Sequence, residues 1–431
     1  MRIYIFIIFF ISFIFCQQRT VKKVQIASDE YDKYTSVGNL GLTITNFGIL
    51  GNGWNRMEDG SIHPSCQYRQ QTEIAREQIE HFSYAGLWVG GIVNGERRVS
   101  TSIVDGVFES GSEGFELFAE TPILIESSIS STTQDSMAKY YSPNAISHQD
   151  MSAIFKDYGE STSDDLGIPN HVPLGLDIHL SSYAWNYAYA DAFVILNYNF
   201  KNSSTDTIRD IYAGIWADPS VANFNYTDYY TPGGGFTWYD NLNGFDESTD
   251  MAGFTRDIAY QFDTDGDDGW SESYLGMSIL GGSIPMRYLN TNYSQWVWTN
   301  SSNSDYPAYS MPLDDYERYN KMSSSVPKGT GPEYTEDGYP SSENSWLFLV
   351  SAGPIGSQPN IDTTSWTLAP GDSCSIAFSI VCGLWADGNT GDSPGRRENL
   401  FINHDWAQKA YDGEDKNRNN ILDFGEDNNN N

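Results

Sequence analysis

The residues whose types and spacing most clearly suggest chemistry lie near the C-terminus, in "DKNRNNILDFGE", which runs from Asp415 to Glu426. An EF-hand loop of twelve residues places oxygen ligands at positions 1, 3, 5, 7, 9 and 12 and ends on a bidentate acid. Those positions here are Asp415, Asn417, Asn419, the backbone carbonyl of Ile421, Asp423 and Glu426. The sixth position is Asn420 in place of glycine, and asparagine tolerates the left-handed backbone that the turn requires. Oxygen-only ligands suit a hard cation, so the metal expected is Ca²⁺. Three of the six ligands are carboxylates, which implies an affinity of about 10⁻⁴ M, as in extracellular modules. The competing reading is a solvated tail rich in Asn and Asp.

A second acidic run, "DTDGDDGW", sets Asp263, Asp265 and Asp267 at the one-three-five spacing of a calcium loop. Its twelfth position is Tyr274 and not an acid, so Glu272 or Asp257 would have to complete the shell. An Asp-Gly turn between two strands accounts for the same residues without a metal.

Other chemistries find little support. The six histidines form no HExxH pair and there is no CxxC, which removes the usual zinc signatures. No GxSxG elbow occurs, and "TPGGGF" lacks the Lys-Ser/Thr of a phosphate loop. Acids suited to glycoside hydrolysis are abundant, but an acidic chain supplies them everywhere. Trp216, Trp238, Tyr239, Trp270, Trp296 and Trp298 fall in or beside expected loops, where they could stack on sugar rings or cap a core. Cys374 and Cys382 sit on one apparent strand, roughly 26 Å apart, beyond disulfide reach. Cys66 either pairs with one of them or, like them, is a buried small hydrophobe.

Positioning these residues falls to strands. The chain carries 28 Tyr, 12 Trp and 39 Gly, a composition that favours strands joined by turns. Asn94-Gly95 between two apolar runs signals a tight hairpin, and Ala192 to Phe200 is apolar and β-branched like a buried strand. Residues 136–156 suggest one mid-chain helix, residues 219–250 and 300–345 long surface loops, and Arg396 to Tyr411 a convincing helix. The fold class expected is all-β, a large β-sandwich-type domain or two merged ones, followed by a short C-terminal helix and an EF-hand-like loop. The expected divisions are a signal peptide at 1–17, a β-sandwich region at 18–390 with an internal boundary near 160–220, and a calcium-binding segment at 394–431.

Lys and Arg total 24 against 57 Asp and Glu, giving a net charge of -33. Such a surface attracts cations and repels nucleic acid, which is excluded as a partner. The apolar run from Ile3 to Phe15 is too short to span a bilayer and reads as a secretory leader cleaved near Cys16 or Gln17. Lipidation at Cys16 is disfavoured by the bulky residues before it. No later segment reads as transmembrane, so the expected location is secreted or at the cell surface.

Several motifs recur in one order: "AGLWVGG", "RRVST", "AISHQDM", "PLGLDIHLSSYAW", "YAGIWADP", "DYERYNKMS", "LAPGDSCSIAFSIVCG" and "AQKAY". As a set they resemble a largely uncharacterised family of secreted Bacteroidetes-type proteins, over roughly residues 37–412. Members of that family often continue into a sorting domain for type IX secretion. The chain ends at Asn431 without one, and Asp427 opens what resembles a second, dockerin-like loop, so an incomplete gene or another export route is expected. The resemblance brings no catalytic residues. The function expected is therefore a calcium-binding protein of structural or binding type, with extracellular polysaccharide or cell-surface components as partners. The alternative is an extracellular carbohydrate-active hydrolase or carbohydrate-binding protein.

Overall fold

The computed structural model describes residues 32–53, 63–72, 74–103, 116–130, 134–159, 171–223, 240–297, 310–325, 343–344, 346–359, 365–386 and 392–421. The leader expected at 1–17 lies outside them, as do Trp238, Tyr239, Trp298, Asp423 and Glu426. The first strands are β1 (Asp32–Tyr34), β2 (Leu40–Thr45), β3 (Ile49–Gly51), β4 (Cys66–Tyr68), β5 (Ile79–Val93) and β6 (Glu96–Thr101). Next come β7 (Phe118–Ala119), β8 (Leu124–Glu126), β9 (Gln149–Lys156), β10 (Leu176–Ala184), β11 (Phe193–Asn202), β12 (Ile208–Ala222) and β13 (Asn241–Asp246). The remainder are β14 (Ile258–Asp263), β15 (Ser273–Gly282), β16 (Asn290–Val297), β17 (Trp346–Ile355), β18 (Gln358–Pro359), β19 (Trp366–Leu368) and β20 (Ser373–Leu384). Helix α1 spans Asp315–Ser323 and α2 spans Glu398–Asp412.

These strands make two antiparallel sheets. The first runs β1-β2-β3-β5-β12-β17-β16, with β4 and β6 on β5 and the β18–β19 pair on β12. The second runs β13-β14-β15-β20-β11-β10-β9-β7, with β8 on β9. The chain moves between them repeatedly: β1–β6, β12 and β16–β19 belong to the first sheet, the others to the second.

Alternation of side chains across each strand produces two buried faces per sheet. In β5, Leu87 and Val89 enter the core between the sheets while Trp88 faces outward. In β20, Ile380 and Cys382 point inward and Val381 outward. Each outer face is covered by one helix. Tyr319 and Met322 of α1 close over Trp88, Trp216 and Trp296, and Leu400 and Ala407 of α2 close over Ile258, Tyr260 and Tyr274. The architecture is thus an all-β sandwich with a helix on each outer face, and the short C-terminal helix is among them.

Asn94 and Gly95 turn β5 into β6 with φ of 52° and 88°, and Val93 pairs with Glu96 across the turn. The helix expected over 136–156 is replaced by a short 3₁₀ turn at Ser136–Tyr140 and by β9. Burial in β9 alternates strictly from Gln149 to Phe155, a period of two that its polar composition concealed. The loop expected at 300–345 contains α1, whose start is a capping box. Asp314 Oδ1 accepts from the Glu317 amide at 2.8 Å, and Glu317 Oε2 accepts from the Leu313 amide at 2.8 Å. Trp216 and Trp296 are wholly buried, so they serve the core and not an exposed sugar platform.

Candidate metal centre

The centre is built where β13 and β14 end together. Asn241 is in register with Asp263, so Asp240, the residue before β13, arrives beside the last residue of β14. The Thr264 amide donates to the Asp240 carbonyl at 3.1 Å and fixes this end of the pair. The chain then turns tightly. Asp263 Oδ1 accepts from the amides of Asp265 (3.1 Å) and Gly266 (2.6 Å), and Asp265 Oδ1 accepts from the Asp267 amide at 2.9 Å. These are local turns that aspartate makes readily. Gly266 has φ of 71°, and a Cβ there would lie 2.8 Å from the Trp385 ring, so glycine is required. From outside, Arg76 donates to the carbonyls of Asp268 (2.6 Å) and Gly269 (3.0 Å) and holds the turn against the body.

This arrangement brings one carboxylate oxygen each from Asp240, Asp263 and Asp267 within 4.8 Å of one another. Asp263 is 1% exposed and Asp267 is 3% exposed. Asp267 Oδ2 accepts from the Ser271 hydroxyl at 2.8 Å, while Oδ1 is buried without a hydrogen-bond partner. Burial, then the charges of Asp267 and Asp240, pushes the Asp263 carboxyl up to about 10. Burial likewise raises Asp267 to about 7, with Asp240 and Asp265 adding to it and Ser271 opposing. Two oxygens bound to one Ca²⁺ lie at most about 5 Å apart, given metal–oxygen distances of roughly 2.3–2.6 Å. The three carboxylates therefore fit a single divalent cation, which would relieve their mutual repulsion.

The run "DTDGDDGW" contributes Asp263 and Asp267 to this group, whereas Asp265 is exposed and its carboxylate is spent on the turn. Among the described residues, neither Glu272 nor Asp257 belongs to the group. Asp240 was invisible to spacing because it comes from the neighbouring strand. The only signal for it is the strand register.

The C-terminal loop is described as far as Ile421. Asp415 accepts from the Asn419 amide (3.3 Å) and the Asn420 amide (2.8 Å), and Asn419 Oδ1 accepts from the Ile421 amide at 2.7 Å. Asn417 Oδ1 also accepts from the Asn419 amide, at 3.1 Å. Asn420 has φ of 65°, the left-handed conformation its place demands. Arg418 is buried, bonded to Asp250 and Asp412, and its carbonyl accepts from the Met286 amide at 3.3 Å.

A third charged cluster joins α1 to the first sheet. Arg318 lies 3.5 Å from Glu116, and His171 lies 3.3 Å from Asp315 and 3.7 Å from Glu116. Glu116 Oε2 accepts from both the amide and the hydroxyl of Thr101. These residues anchor the helix.

No protein family matches the sequence, and no curated protein does. Among solved structures, a galactose mutarotase related enzyme from Lactobacillus acidophilus aligns at 9% identity and a TM-score of 0.31, over 84% of this chain and 99% of that one. The GH36 alpha-galactosidase AgaA from Geobacillus stearothermophilus aligns at 8% identity and a TM-score of 0.30, over 84% of this chain. This chain spans 41% of that enzyme's length. A putative aldose 1-epimerase from Escherichia coli K12 aligns at 9% and a TM-score of 0.25, over 82% and 99% of the two chains. Similarity this low assigns no activity. Among the described residues no helix is long and apolar enough to cross a membrane.

Proposed function

We propose that this is a secreted or cell-surface protein of structural or binding type whose acidic turns are rigidified by Ca²⁺. The observation that carries the reading is the convergence of Asp240, Asp263 and Asp267, with Asp267 Oδ1 buried and unpartnered. All three donors are carboxylate oxygens, the set a hard cation prefers over zinc or copper. The charge of -33 raises the local concentration of cations around the protein. The loop opened by Asp415, Asn417 and Asn419 is a second proposed Ca²⁺ position, completed by the Ile421 carbonyl, Asp423 and Glu426. Calorimetric titration with Ca²⁺ tests the reading on the wild type, on an Asp263→Asn, Asp267→Asn variant and on an Asp415→Ala, Glu426→Ala variant. Each pair should remove one set of sites, and a wild type that gives neither heat nor a change in melting temperature would refute it.

A second reading, binding of a carbohydrate, is favoured by one surface feature. His148, Tyr187, Tyr189 and Trp406 form a continuous row, with ring centroids 4.6, 5.4 and 4.8 Å apart, and Tyr187 and Tyr189 are about half exposed. Rows of amphipathic rings suit the mixed polar and apolar faces of sugars. Affinity electrophoresis through soluble polysaccharides separates the readings. Retardation lost in Tyr187→Ala, Tyr189→Ala supports the carbohydrate, and unchanged mobility in every gel removes it.

A further inference from the structure

The turn that carries Asp267 has an unfavourable backbone. Gly266, Asp267, Asp268 and Gly269 follow one another with φ of 71°, 48°, 54° and 89°. Glycine enters this left-handed region freely, whereas an aspartate meets a steric penalty at its Cβ. Two aspartates in succession stay there only where the surroundings over-determine them. Hydrogen bonds within the turn shape it locally, and the remaining restraint comes from the other sheet.

Three residues of the first sheet and its approach reach this turn, which joins β14 to β15 of the second. Arg76 lies in the 3₁₀ turn Ala75–Glu77 that leads into β5. It donates to the carbonyls of both Asp268 and Gly269, and its guanidinium lies 5.6 Å from the centre of the Trp270 ring. A Cβ on Gly269 would collide with that guanidinium. Asn223, directly after β12, donates to the Trp270 carbonyl at 3.2 Å. His81 of β5 bridges the sheets: its Nδ1 faces the Cys66 carbonyl of β4 at 3.2 Å, and its Nε2 faces Ser273 Oγ of β15 at 2.8 Å. The Cys66 carbonyl only accepts, so Nδ1 carries a proton.

From Ser273 the connection continues to a carboxylate. The Ser273 amide donates to the Ser271 carbonyl at 2.7 Å, and the Ser271 hydroxyl donates to Asp267 Oδ2 at 2.8 Å. With Oδ2 held by Ser271, the unpartnered Oδ1 is the oxygen left for a cation. His81, Asn223, Ser271 and Ser273 are fully buried, so water does not compete for these bonds. Asp240 is steadied from the same side, because the Val221 amide of β12 donates to Oδ1 of the adjacent Asn241 at 3.2 Å.

We propose that Arg76, His81 and Asn223 are positioning residues for the metal centre, so that Ca²⁺ binding and docking of the two sheets at this end of the sandwich reinforce one another. This rests on the reading of Asp240, Asp263 and Asp267 as a Ca²⁺ site. The first sheet supplies none of the three carboxylates, yet it fixes the turn that presents Asp267. A cation that needs the turn in this form favours the docked sheets, and docked sheets favour the cation by the same factor.

Arg76 gives the sharpest test, because it is exposed and its two effects on binding have opposite signs. A positive charge beside the centre repels Ca²⁺, so electrostatics alone would make Arg76→Ala bind more tightly. Loss of positioning should make it bind more weakly, by about tenfold or more. Arg76→Gln, whose amide can donate to a carbonyl without carrying charge, should recover affinity. Calorimetric titration of the full chain with Ca²⁺ reads both variants. Hydrogen exchange in chelator and in excess Ca²⁺ is the second readout. Ca²⁺ should slow exchange at 263–273 and also at 66–83 and 221–223, which hold none of the three carboxylates. An Arg76→Ala variant that binds as tightly as the wild type or more tightly overturns the positioning role, and so does protection confined to 240–241 and 263–273. Either result leaves the Ca²⁺ site standing. A wild type with neither heat nor a change in melting temperature overturns the Ca²⁺ reading and this inference with it. His81→Ala should also weaken binding, and if that variant fails to fold, the Arg76 variants decide.

Discussion

Arg418 and Asp250 are joined at 2.6 Å although 168 positions separate them in the chain. Both side chains are nearly excluded from solvent, at 5% and 2% exposure, and the guanidinium also holds Asp412 at 2.8 Å and lies over Phe254. The segment beyond α2 is therefore fastened to the body within its acidic loop, at the loop's fourth residue.

Arg418→Ala leaves two carboxylates without their counter-charge, Asp250 buried and Asp412 half-buried. Breaking a buried pair from one side costs about 3–5 kcal/mol. Urea denaturation should show a loss of that order, and Asp250→Ala added to Arg418→Ala should cost less than the sum of the two single changes.

Asp263→Asn should act in opposite directions with and without metal. In chelator-treated protein it removes a carboxyl that burial and its acidic neighbours keep protonated well above its ordinary range, so the fold no longer bears the cost of that protonation. Stability should rise by about 1 kcal/mol or more, since each unit of pKa displacement is worth about 1.4 kcal/mol. With Ca²⁺ at about a hundred times its dissociation constant, the wild type should gain about 2.7 kcal/mol. The variant should gain much less, and thermal melts in chelator and in excess Ca²⁺ read both effects.

Gly266→Ala places a methyl group against the Trp385 ring at a backbone angle that alanine adopts poorly. The expected cost is about 1–3 kcal/mol. Because the same turn sets Asp263 and Asp267, Ca²⁺ affinity should fall with stability. Calorimetric titration of the variant checks this, with Gly253→Ala as the control for backbone strain alone, since φ there is 94° and nothing lies within 4 Å of its added carbon.

His171 predicts a pH dependence. Burial alone would lower its pKa, but the hydrogen bond to Asp315 and the charges of Glu116, Asp315 and Asp157 raise it above 6.5. Arg318 is the cation facing the same group. A raised value in the fold means that the contribution is complete below about 6.5, the unfolded value, and disappears as pH climbs through the folded value. Melting temperature should fall over that interval in the wild type and more gently in His171→Gln. Identical profiles would exclude His171 as the source.

Much of the strand framework was readable from patterns that local physics enforces. The Asn94-Gly95 turn, the apolar run of β11 and the helix ending near Tyr411 announce themselves through backbone preference and periodicity. The helix α1 carried its capping box in "LDDYE" but was lost among Pro and Ser on either side. In β9 the inward residues include Gln149 and Ala153, so alternation was present without an obvious hydrophobic signal. The candidate centre was half legible. Asp263 and Asp267 follow from spacing, while Asp240 is a neighbour only because two strands align, and no short-range rule reports that.

The position of β20 in the second sheet has a kinetic consequence. It is the last strand among the described residues, yet it lies between β15 and β11, in the middle of the sheet. Until residues 373–384 leave the ribosome, β11 and β15 each keep an open edge and the inner face lacks Ile376, Phe378 and Ile380. A nascent chain therefore cannot finish this sheet early, and late long-range closure of this sort slows folding. Truncation before residue 373 should yield an aggregating intermediate rather than a smaller stable protein, because the final strand joins two half-sheets that each present an unpaired edge.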